Sequence, residues 1–405
     1  MQKPWLTDKW WVSHLNFVDE VRAGLKLPKK VIIHDITLRD GEQQAGLVFD
    51  KEDKIKIARM LDELGVHRIE AGLPAVSRED KEAVKAIAHE GLNAKVFCFS
   101  RCMKADVDLA LECDVEGVEM EIPSSEHIIK YAYQWPLEKA IDLSTEATRY
   151  AADHGLHVAF FTIDATRADL DWWFKIINNV ATKGHMDSLV LVDTFGVCTP
   201  DAIRYFTRKA RGQLSKPIEA HFHNDFGLAT ANTLAAVCEG AEVVHTTVNA
   251  IGERMGNADL AEVTLALEAL YGVKLDLKYD KLYELSKLVE KISGIKMPPH
   301  KAIVGDGAFR TESGIVASWW SRVKEVNMPL VVYPYIWNLV GQKEVEVILG
   351  KKSGRDSIVN KLKSLGLVLP EEEIDKVLEQ VKKESVKRKS PISDDVFKEI
   401  INKYR

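Results

Sequence analysis

The feature that most constrains the fold of this 405-residue chain is the alternation of short strand-like runs with helix-like segments. Apolar, β-rich runs recur at fairly even spacing, and amphipathic stretches that end in glycine lie between them. Strands that alternate with helices pair in parallel through right-handed crossovers, so helices cover the sheet. The eight predicted strands are residues 31–36, 67–72, 95–100, 117–122, 157–163, 188–193, 218–223 and 243–248.

Two α/β architectures fit this alternation, a closed TIM (β/α)8 barrel and a doubly wound open sheet. A barrel builds its active site from the carboxyl ends of many strands, whereas an open sheet gathers its polar residues at one switch point. In this chain polar residues lie at or just past the carboxyl ends of nearly all the predicted strands, which favours the barrel. They are Arg39, Asp40, Glu70, Arg101, Ser124, Ser125, Asp164, Thr194, His221, His223 and Glu253.

The pattern of alternating strands and helices changes near residue 290, which predicts that additional subdomains accompany the barrel. Proline and glycine accumulate there, and the last fifty residues are charged and helix-like. We expect an N-terminal extension over 1–29, a TIM-barrel catalytic domain over 30–290, a linker or lid subdomain over 291–350 and a helical subdomain over 351–405. Ser393 is the predicted N-cap of the last helix.

Composition excludes several classes of function. Fifty-five basic and sixty-one acidic residues give a net charge of −6, whereas a nucleic-acid binder shows a basic excess. Five cysteines, an odd number, indicate reduced thiols. The chain has neither an apolar run long enough to span a bilayer nor the apolar core of a signal peptide. We expect a soluble, cytoplasmic enzyme with no nucleic-acid or membrane partner.

The strongest local signal is His221-Phe222-His223 on the seventh predicted strand. Side chains two positions apart on a strand share a face, so both imidazoles point the same way. Two such nitrogens hold a divalent metal when a carboxylate joins them from another strand. The alternative is that both histidines merely line the mouth of a barrel.

Two loops offer the missing groups. The segment 35–43 follows the first strand, where Asp40 would be a third metal ligand and Arg39 would neutralise charge on a reacting oxygen. The segment 249–258 follows the eighth strand, and Asn257 would add an oxygen ligand beside two glycines that permit a tight turn. Alternatively, the first loop is a salt-bridged helix cap, and the second is a turn before a helix.

Five motifs in a fixed order carry a resemblance to one family. They are D-x-T-L-R-D-G-E-Q (35–43), I-E-A-G-x-P-A-x-S (69–77), D-T-x-G-V (193–197), H-x-H-N-D-x-G-x-A-x-A-N (221–232) and G-E-R-x-G-N-A (252–258). The chain resembles the barrel enzymes that condense acetyl-CoA with 2-oxo acids: the 2-isopropylmalate, homocitrate, citramalate and Re-citrate synthases. 3-Hydroxy-3-methylglutaryl-CoA lyase is a more distant relative. The resemblance covers about residues 30–355.

The resemblance implies a divalent metal (Mg, Mn, Zn, Fe or Co), with acetyl-CoA as co-substrate and a 2-oxo acid as acceptor. Its implied metal site consists of Asp40, His221, His223 and Asn257. Arg39 matches the arginine that stabilises the enolate, and Gln43 and Thr194 match residues that contact the 2-oxo acid. Arg101, at a strand end, is a further predicted substrate-binding residue.

The chain departs from the family where protons are transferred. Ile163 stands where the synthases commonly have a glutamate, and Val316 replaces a catalytic histidine. Neither side chain can carry a proton, so we expect Glu312, Tyr333 or a water molecule to serve instead. Alternatively, the chain is a lyase or aldolase that cleaves a hydroxy acid or its CoA ester at the same metal. A binding protein that has lost catalysis is a third possibility.

The resemblance also implies a homodimer in which the segment 297–350 completes the site of the partner. Chain length favours the homocitrate or Re-citrate synthase type, although Ile122 replaces an arginine that one type of homocitrate synthase uses. Oxaloacetate is therefore the favoured acceptor. Adjacent tryptophans at 10–11, 172–173 and 319–320 predict packed core or interface, or alternatively a lid over the substrate.

Overall fold

The computed structural model describes residues 3–404. The chain divides into two compact units. One unit, Leu15–Lys296, is referred to below as the barrel unit. The other joins residues 3–14 to residues 297–404, and is referred to as the second unit.

Eight parallel strands close the barrel unit into a ring. Each strand pairs with the next, and the last pairs with the first, where Asp35 lies opposite Thr246. The TIM-barrel prediction is therefore confirmed, and the open sheet is excluded. The strands are β1 (Ile32–Asp35), β2 (Arg68–Glu70), β3 (Lys95–Arg101), β4 (Gly117–Pro123), β5 (His157–Ile163), β6 (Ser188–Asp193), β7 (Ile218–Phe222) and β8 (Val243–Thr246).

Local sequence signals fix where the surrounding helices begin and end. The second helix begins after Asp50, whose carboxylate accepts from the backbone N–H of Asp53 at 2.8 Å, and ends at Gly65 with φ of 101°. The helices of this unit are α1 (Asp19–Arg22), α2 (Lys51–Leu64), α3 (Arg78–Ala88), α4 (Lys104–Glu112), α5 (Leu137–Asp153), α6 (Leu170–Lys183), α7 (Pro200–Gln213), α8 (Ala229–Cys238), α9 (Leu260–Ala269) and α10 (Leu282–Ser293).

The interior of the barrel contains a polar layer. Branched aliphatic side chains usually fill this space. Here His34, Glu119, Glu219 and His245 meet inside it, all essentially inaccessible to solvent. Glu219 precedes His221 by two positions on β7, so this layer lies one step closer to the amino ends of the strands than the histidine pair.

The second unit has a separate helical core. Its helices are α11 (Gly314–Glu325), α12 (Arg355–Leu365), α13 (Ile374–Arg388) and α14 (Asp394–Ile401), beside a short parallel pair of β9 (Arg310–Thr311) and β10 (Glu346–Val347). Ile358, Val377 and Phe397 pack together with no exposure. The side chain of Ser393 accepts from the backbone N–H of Val396, so its predicted capping role is confirmed.

In two of the three adjacent tryptophan pairs, 172–173 and 319–320, one member is buried within its own unit, whereas in the pair 10–11 Trp10 is only partly buried and Trp11 is exposed. Trp173 on α6 packs against Phe206 on α7, with ring centroids 4.7 Å apart. Trp320 is buried as well, whereas Trp319 is about half exposed at 52%. Packing in a core therefore accounts for Trp173 and Trp320.

Two properties of the described chain bear on its environment. All five cysteines are free thiols within residues 3–404. No helix in that part of the chain combines the length and apolar composition needed to cross a bilayer.

Candidate metal centre and active site

His221 on β7 and His223 directly after it meet on one face, as the strand period predicts. Their Nε2 atoms lie 3.3 Å apart, and both residues are buried. Oδ2 of Asp40, in the turn after β1, lies 3.7 Å from Nε2 of His221 and 3.8 Å from Nε2 of His223. Three donor groups from two distant parts of the sequence therefore converge on one buried point.

Asn257 joins this group from the loop after β8. Its Nδ2 donates a hydrogen bond to Oδ1 of Asp40 at 2.7 Å, and its backbone forms a bridge with His223. Its Oδ1 is buried and accepts no hydrogen bond from residues 3–404. A buried acceptor without a partner costs about 1–3 kcal/mol. A cation bound beside it would remove that cost.

Two glycines in the same loop keep the site open. Gly252 has φ of 152°, and a Cβ there would overlap Nδ2 of Asn257 and lie 2.8 Å from Oδ1 of Asp40. Gly256 has φ of 81°, and a Cβ there would overlap the carbonyl oxygen of Ala250. The loop therefore needs glycine at both positions, for steric and conformational reasons.

The protonation states suit a divalent cation. Burial, reinforced by nearby His223, lowers the pKa of His221 well below its ordinary value, so that imidazole is neutral. Burial alone would raise the pKa of Asp40, but His223 and Arg39 outweigh it and hold that pKa below its usual value. A carboxylate and imidazole nitrogens match the ligand preferences of divalent transition metals, and the carboxylate and amide oxygens those of magnesium.

The guanidinium of Arg39 lies beside this centre. Its Nε donates to Glu70 at 2.7 Å, and its Nη1 donates to Asp40 at 3.0 Å and more weakly to Gln43 at 3.4 Å. Its central carbon lies 4.0 Å from the centroid of the Phe99 ring. Nη2 is buried and donates to no group among the described residues. Both N–H bonds of Nη2 are thus available to a ligand.

Thr194 follows β6 next to the histidine pair. The backbone N–H of His223 donates to the carbonyl of Asp193 at 3.2 Å, which holds the two loops together. The Oγ1 atom of Thr194 accepts from the backbone N–H of Asp164 at 2.7 Å. Its hydroxyl proton therefore remains available to a ligand.

Arg101 and Glu121 are at the carboxyl ends of β3 and β4. Arg101 is exposed and donates to both carboxylate oxygens of Asp106, at 2.7 and 2.8 Å. Glu121 is half-buried, and burial raises its pKa to about 7 against the opposing effects of Arg39 and Arg101. Glu121 shares the inner face of β4 with Glu119, since they are two positions apart.

Glu121 lies at the carboxyl end of β4 opposite Arg101, and the sequence analysis did not single it out. Glutamates two positions apart, at 119 and 121, interrupt an otherwise apolar strand. That spacing could have identified Glu121 from the sequence, because residues two positions apart on a strand share a face and both carboxyl groups therefore point into the barrel.

The groups proposed to replace the missing proton carriers lie in the second unit. Glu312 accepts from the backbone N–H of Lys352 at 3.0 Å and forms an ion pair with its Nζ at 3.3 Å. The ring of Tyr333 packs on Phe309 and Trp320, and burial raises the pKa of Tyr333 to about 12. In the barrel unit, Ile163 packs on the apolar cluster that contains Phe99 and Phe161. That position is therefore apolar in the folded protein.

The model of the HMGL-like family matches residues 30–289, which include the whole barrel. The chain belongs to the HMGL-like family. Homocitrate synthase AksA of Methanopyrus kandleri is 42% identical over 389 residues, covering 95% of each chain. (R)-citramalate synthase CimA of Methanocaldococcus jannaschii is 42% identical over 352 residues, covering 87% of this chain and 70% of the relative. The resemblance to the condensing synthases is therefore confirmed.

Solved structures repeat the architecture of the barrel. The HMG-CoA lyase of Bacillus subtilis superposes with a TM-score of 0.61 at 21% identity, covering 67% of this chain and 96% of the lyase. At that identity the likeness concerns the fold alone.

Proposed function

We propose that this HMGL-like enzyme condenses acetyl-CoA, or another acyl-CoA, with a 2-oxo acid in a metal-dependent Claisen-type reaction. The convergence of Asp40, His221 and His223 beside the guanidinium of Arg39 carries this proposal. The relatives named homocitrate and citramalate synthase support acyltransferase chemistry.

The proposed metal-binding residues are Asp40, His221, His223 and Asn257. A divalent cation held by these groups supplies Lewis-acid polarisation of the acceptor's carbonyl group. The residues themselves exclude water and orient one another, because all four are buried.

Substrate binding is assigned to groups around that centre. Arg39 offers Nη2 to the oxygen that gains negative charge as the carbon–carbon bond forms. Thr194 offers its hydroxyl proton, and further donors come from Gln43, in the loop after β1, and from Arg101, at the end of β3. These groups suit the carboxylate of a 2-oxo acid.

The condensation needs a base that removes a methyl proton from acetyl-CoA. The resulting enolate carbon attacks the carbonyl carbon, the carbonyl oxygen gains a proton, and hydrolysis of the thioester releases CoA. We assign the base to Glu121, because its pKa of about 7 suits proton transfer near neutral pH. Glu312 and Tyr333 of the second unit are the alternative groups.

We favour a 2-oxo dicarboxylic acid, either oxaloacetate or 2-oxoglutarate, as the acceptor. The homocitrate synthase that aligns over 95% of both chains supports this size class.

We also propose a cytoplasmic homodimer in which each chain's 297–350 segment completes the other's site. Light scattering on the purified protein tests the dimer, and a monomer at assay concentration would contradict it.

The apolar environment of Ile163 favours one second candidate, cleavage of a hydroxy acid or its CoA ester at the same metal. Retro-aldol or retro-Claisen cleavage uses the same metal-held carbonyl without the family's usual glutamate. This candidate predicts loss of substrate in the absence of any acyl donor.

Release of free thiol from acetyl-CoA in the presence of Mn²⁺ or Mg²⁺ tests the proposal directly. The acceptor panel contains oxaloacetate, 2-oxoglutarate, pyruvate, glyoxylate and 2-oxoisovalerate. We expect one dicarboxylic acceptor to release CoA, and His223→Ala to abolish both metal retention and turnover. If metal-loaded protein releases no CoA with any member of the panel, condensation with acetyl-CoA is contradicted, which favours cleavage or a different acyl donor. Full activity of His223→Ala in metal-free buffer would contradict the metal assignment.

A further inference from the structure

A line of polar contacts runs from the histidine pair into the polar layer of the barrel. Nδ1 of His221 lies 3.2 Å from Nδ1 of His245, on β8. Nε2 of His245 lies 2.9 Å from Oε2 of Glu219. Oε1 of Glu219 accepts from Arg68 at 2.9 Å and also from Ser188. His221, His245 and Glu219 are essentially inaccessible to solvent.

Counting protons fixes the direction of every hydrogen bond in this line. A neutral imidazole that offers Nε2 to a metal carries its proton on Nδ1. That N–H of His221 must donate to Nδ1 of His245, which leaves the proton of His245 on Nε2. The Nε2–H group then donates to Glu219, which remains an anion because Arg68 is its partner.

We propose that His245 and Glu219 are positioning residues for the metal centre, fixing the ring orientation and proton position of His221 from inside the barrel. This inference rests on the proposed metal-binding role of His221. Groups that hold the second nitrogen of a metal-bound histidine raise its basicity, and their loss typically costs 10- to 100-fold in metal affinity or activity.

The same layer offers a competing arrangement. One donor atom from each of His34, Glu119, Glu219 and His245 lies within 4.8 Å of the others, so the four could themselves hold a cation. A cation there would take the lone pair of Nε2 of His245 and move its proton to Nδ1. Two N–H groups would then face each other across the 3.2 Å between His245 and metal-bound His221. The hydrogen bonds from His221 through His245 to Glu219 avoid this conflict.

Glu119 provides a matched control for Glu219 within that layer. Both are fully buried glutamates, but Glu119 accepts no hydrogen bond from residues 3–404 and lies 3.3 Å from Nε2 of His245. Replacement by glutamine conserves the shape of either side chain. Only the change at Glu219 removes a negative charge that is held by Arg68.

Titration of the metal-free, full-length protein with Mn²⁺, followed by electron paramagnetic resonance, tests the proposal. We expect His245→Phe to raise the Kd by 10- to 100-fold, because the phenylalanine ring has no acceptor for His221. His245→Asn places an amide oxygen near the former Nδ1 and should restore most of the affinity. Glu219→Gln should weaken binding as well, whereas Glu119→Gln should change the Kd by less than about threefold.

The outcomes separate this inference from the proposed function. Wild-type protein that binds no Mn²⁺ would contradict the metal centre itself. If the wild-type protein binds Mn²⁺ and the Kd is unchanged in His245→Phe and Glu219→Gln, the positioning role is overturned and the proposed metal centre stands. If the wild-type protein binds two equivalents of Mn²⁺ and Glu119→Gln binds only one, the positioning role is overturned in favour of a cation in the polar layer. If His245→Phe fails to fold, the comparison of Glu219→Gln with Glu119→Gln decides.

Discussion

At the scale of single residues, the guanidinium of Arg39 is fixed from several sides. Glu70 and Asp40 accept from two of its nitrogens, and the ring of Phe99 lies against its plane. A lysine ammonium is a point charge and cannot reproduce this planar fork. The role proposed for Arg39 therefore depends on its geometry as well as its charge.

Arg39→Lys should retain the metal but lower kcat by about 10²–10³-fold, as expected when a preorganised donor to a developing oxyanion is lost. Metal content and kcat of the purified variant, measured together, check this prediction. A wild-type kcat in the variant would remove Arg39 from the mechanism.

Glu121→Gln should lower kcat by about 10²–10⁴-fold, the range for loss of a general base. Because the base form of Glu121 predominates above its pKa of about 7, wild-type kcat/KM should rise with pH through that value and then level off. The pH–rate profile of the variant should lack this rise. Tyr333→Phe is the matched comparison, and a larger loss there would transfer the role to the second unit.

At the scale of elements, the end of β1 contains a buried acid. Oδ1 of Asp35 accepts from the backbone N–H of Thr37 at 3.0 Å, and burial raises the pKa of Asp35 from 3.8 to about 7. The folded protein therefore binds a proton that the unfolded chain releases near pH 4. Stability should accordingly fall as pH rises from about 4 to 7, and change no further above that.

Asp35→Asn should remove this pH dependence, because the amide oxygen still accepts from Thr37 and carries no charge. Wild type should lose about 3 kcal/mol in free energy of unfolding between pH 5 and pH 8, whereas the variant should not. The difference between the two proteins should therefore shift in favour of the variant by that amount. Urea unfolding at both pH values measures the change. Parallel pH profiles for the two proteins would contradict the raised pKa.

The loop after β8 determines whether Asn257 and Asp40 can face a cation. Gly252→Ala should weaken Mn²⁺ binding at least tenfold, because the added Cβ overlaps the amide of Asn257. Gly46→Ala is the control, since Gly46 also has a positive φ but has open space around its Cβ. Equal Mn²⁺ affinities in the two variants would contradict the steric role of Gly252.

At the scale of the whole molecule, the barrel unit contains every proposed metal-binding residue. Its sheet is closed by β1 and β8 and exposes no unpaired strand edge. We expect the fragment 15–296 to bind Mn²⁺ with a Kd within about threefold of the full chain. A fragment that folds but fails to bind would show that the second unit contributes to the centre.

Much of the fold and of the candidate site follows from local sequence. Strand period places His221 and His223 on one face, and the carboxyl ends of barrel strands bring Asp40 and Asn257 to the same rim. These expectations need only the spacing of residues along a strand and the closure of the ring. Arg39 directly precedes Asp40 in the sequence, so the same reasoning places it at that rim.

Tertiary structure alone decided the rest. The line from His221 through His245 to Glu219 depends on which side chains meet across the interior of the barrel, and the contact between His221 and His245 joins two different strands. The pKa of Glu121 depends on burial and on two arginines, one in the turn after β1 and one at the end of β3. Strand period tells which face a side chain takes. The depth at which it is buried, and the charge it meets there, arise only when the ring closes.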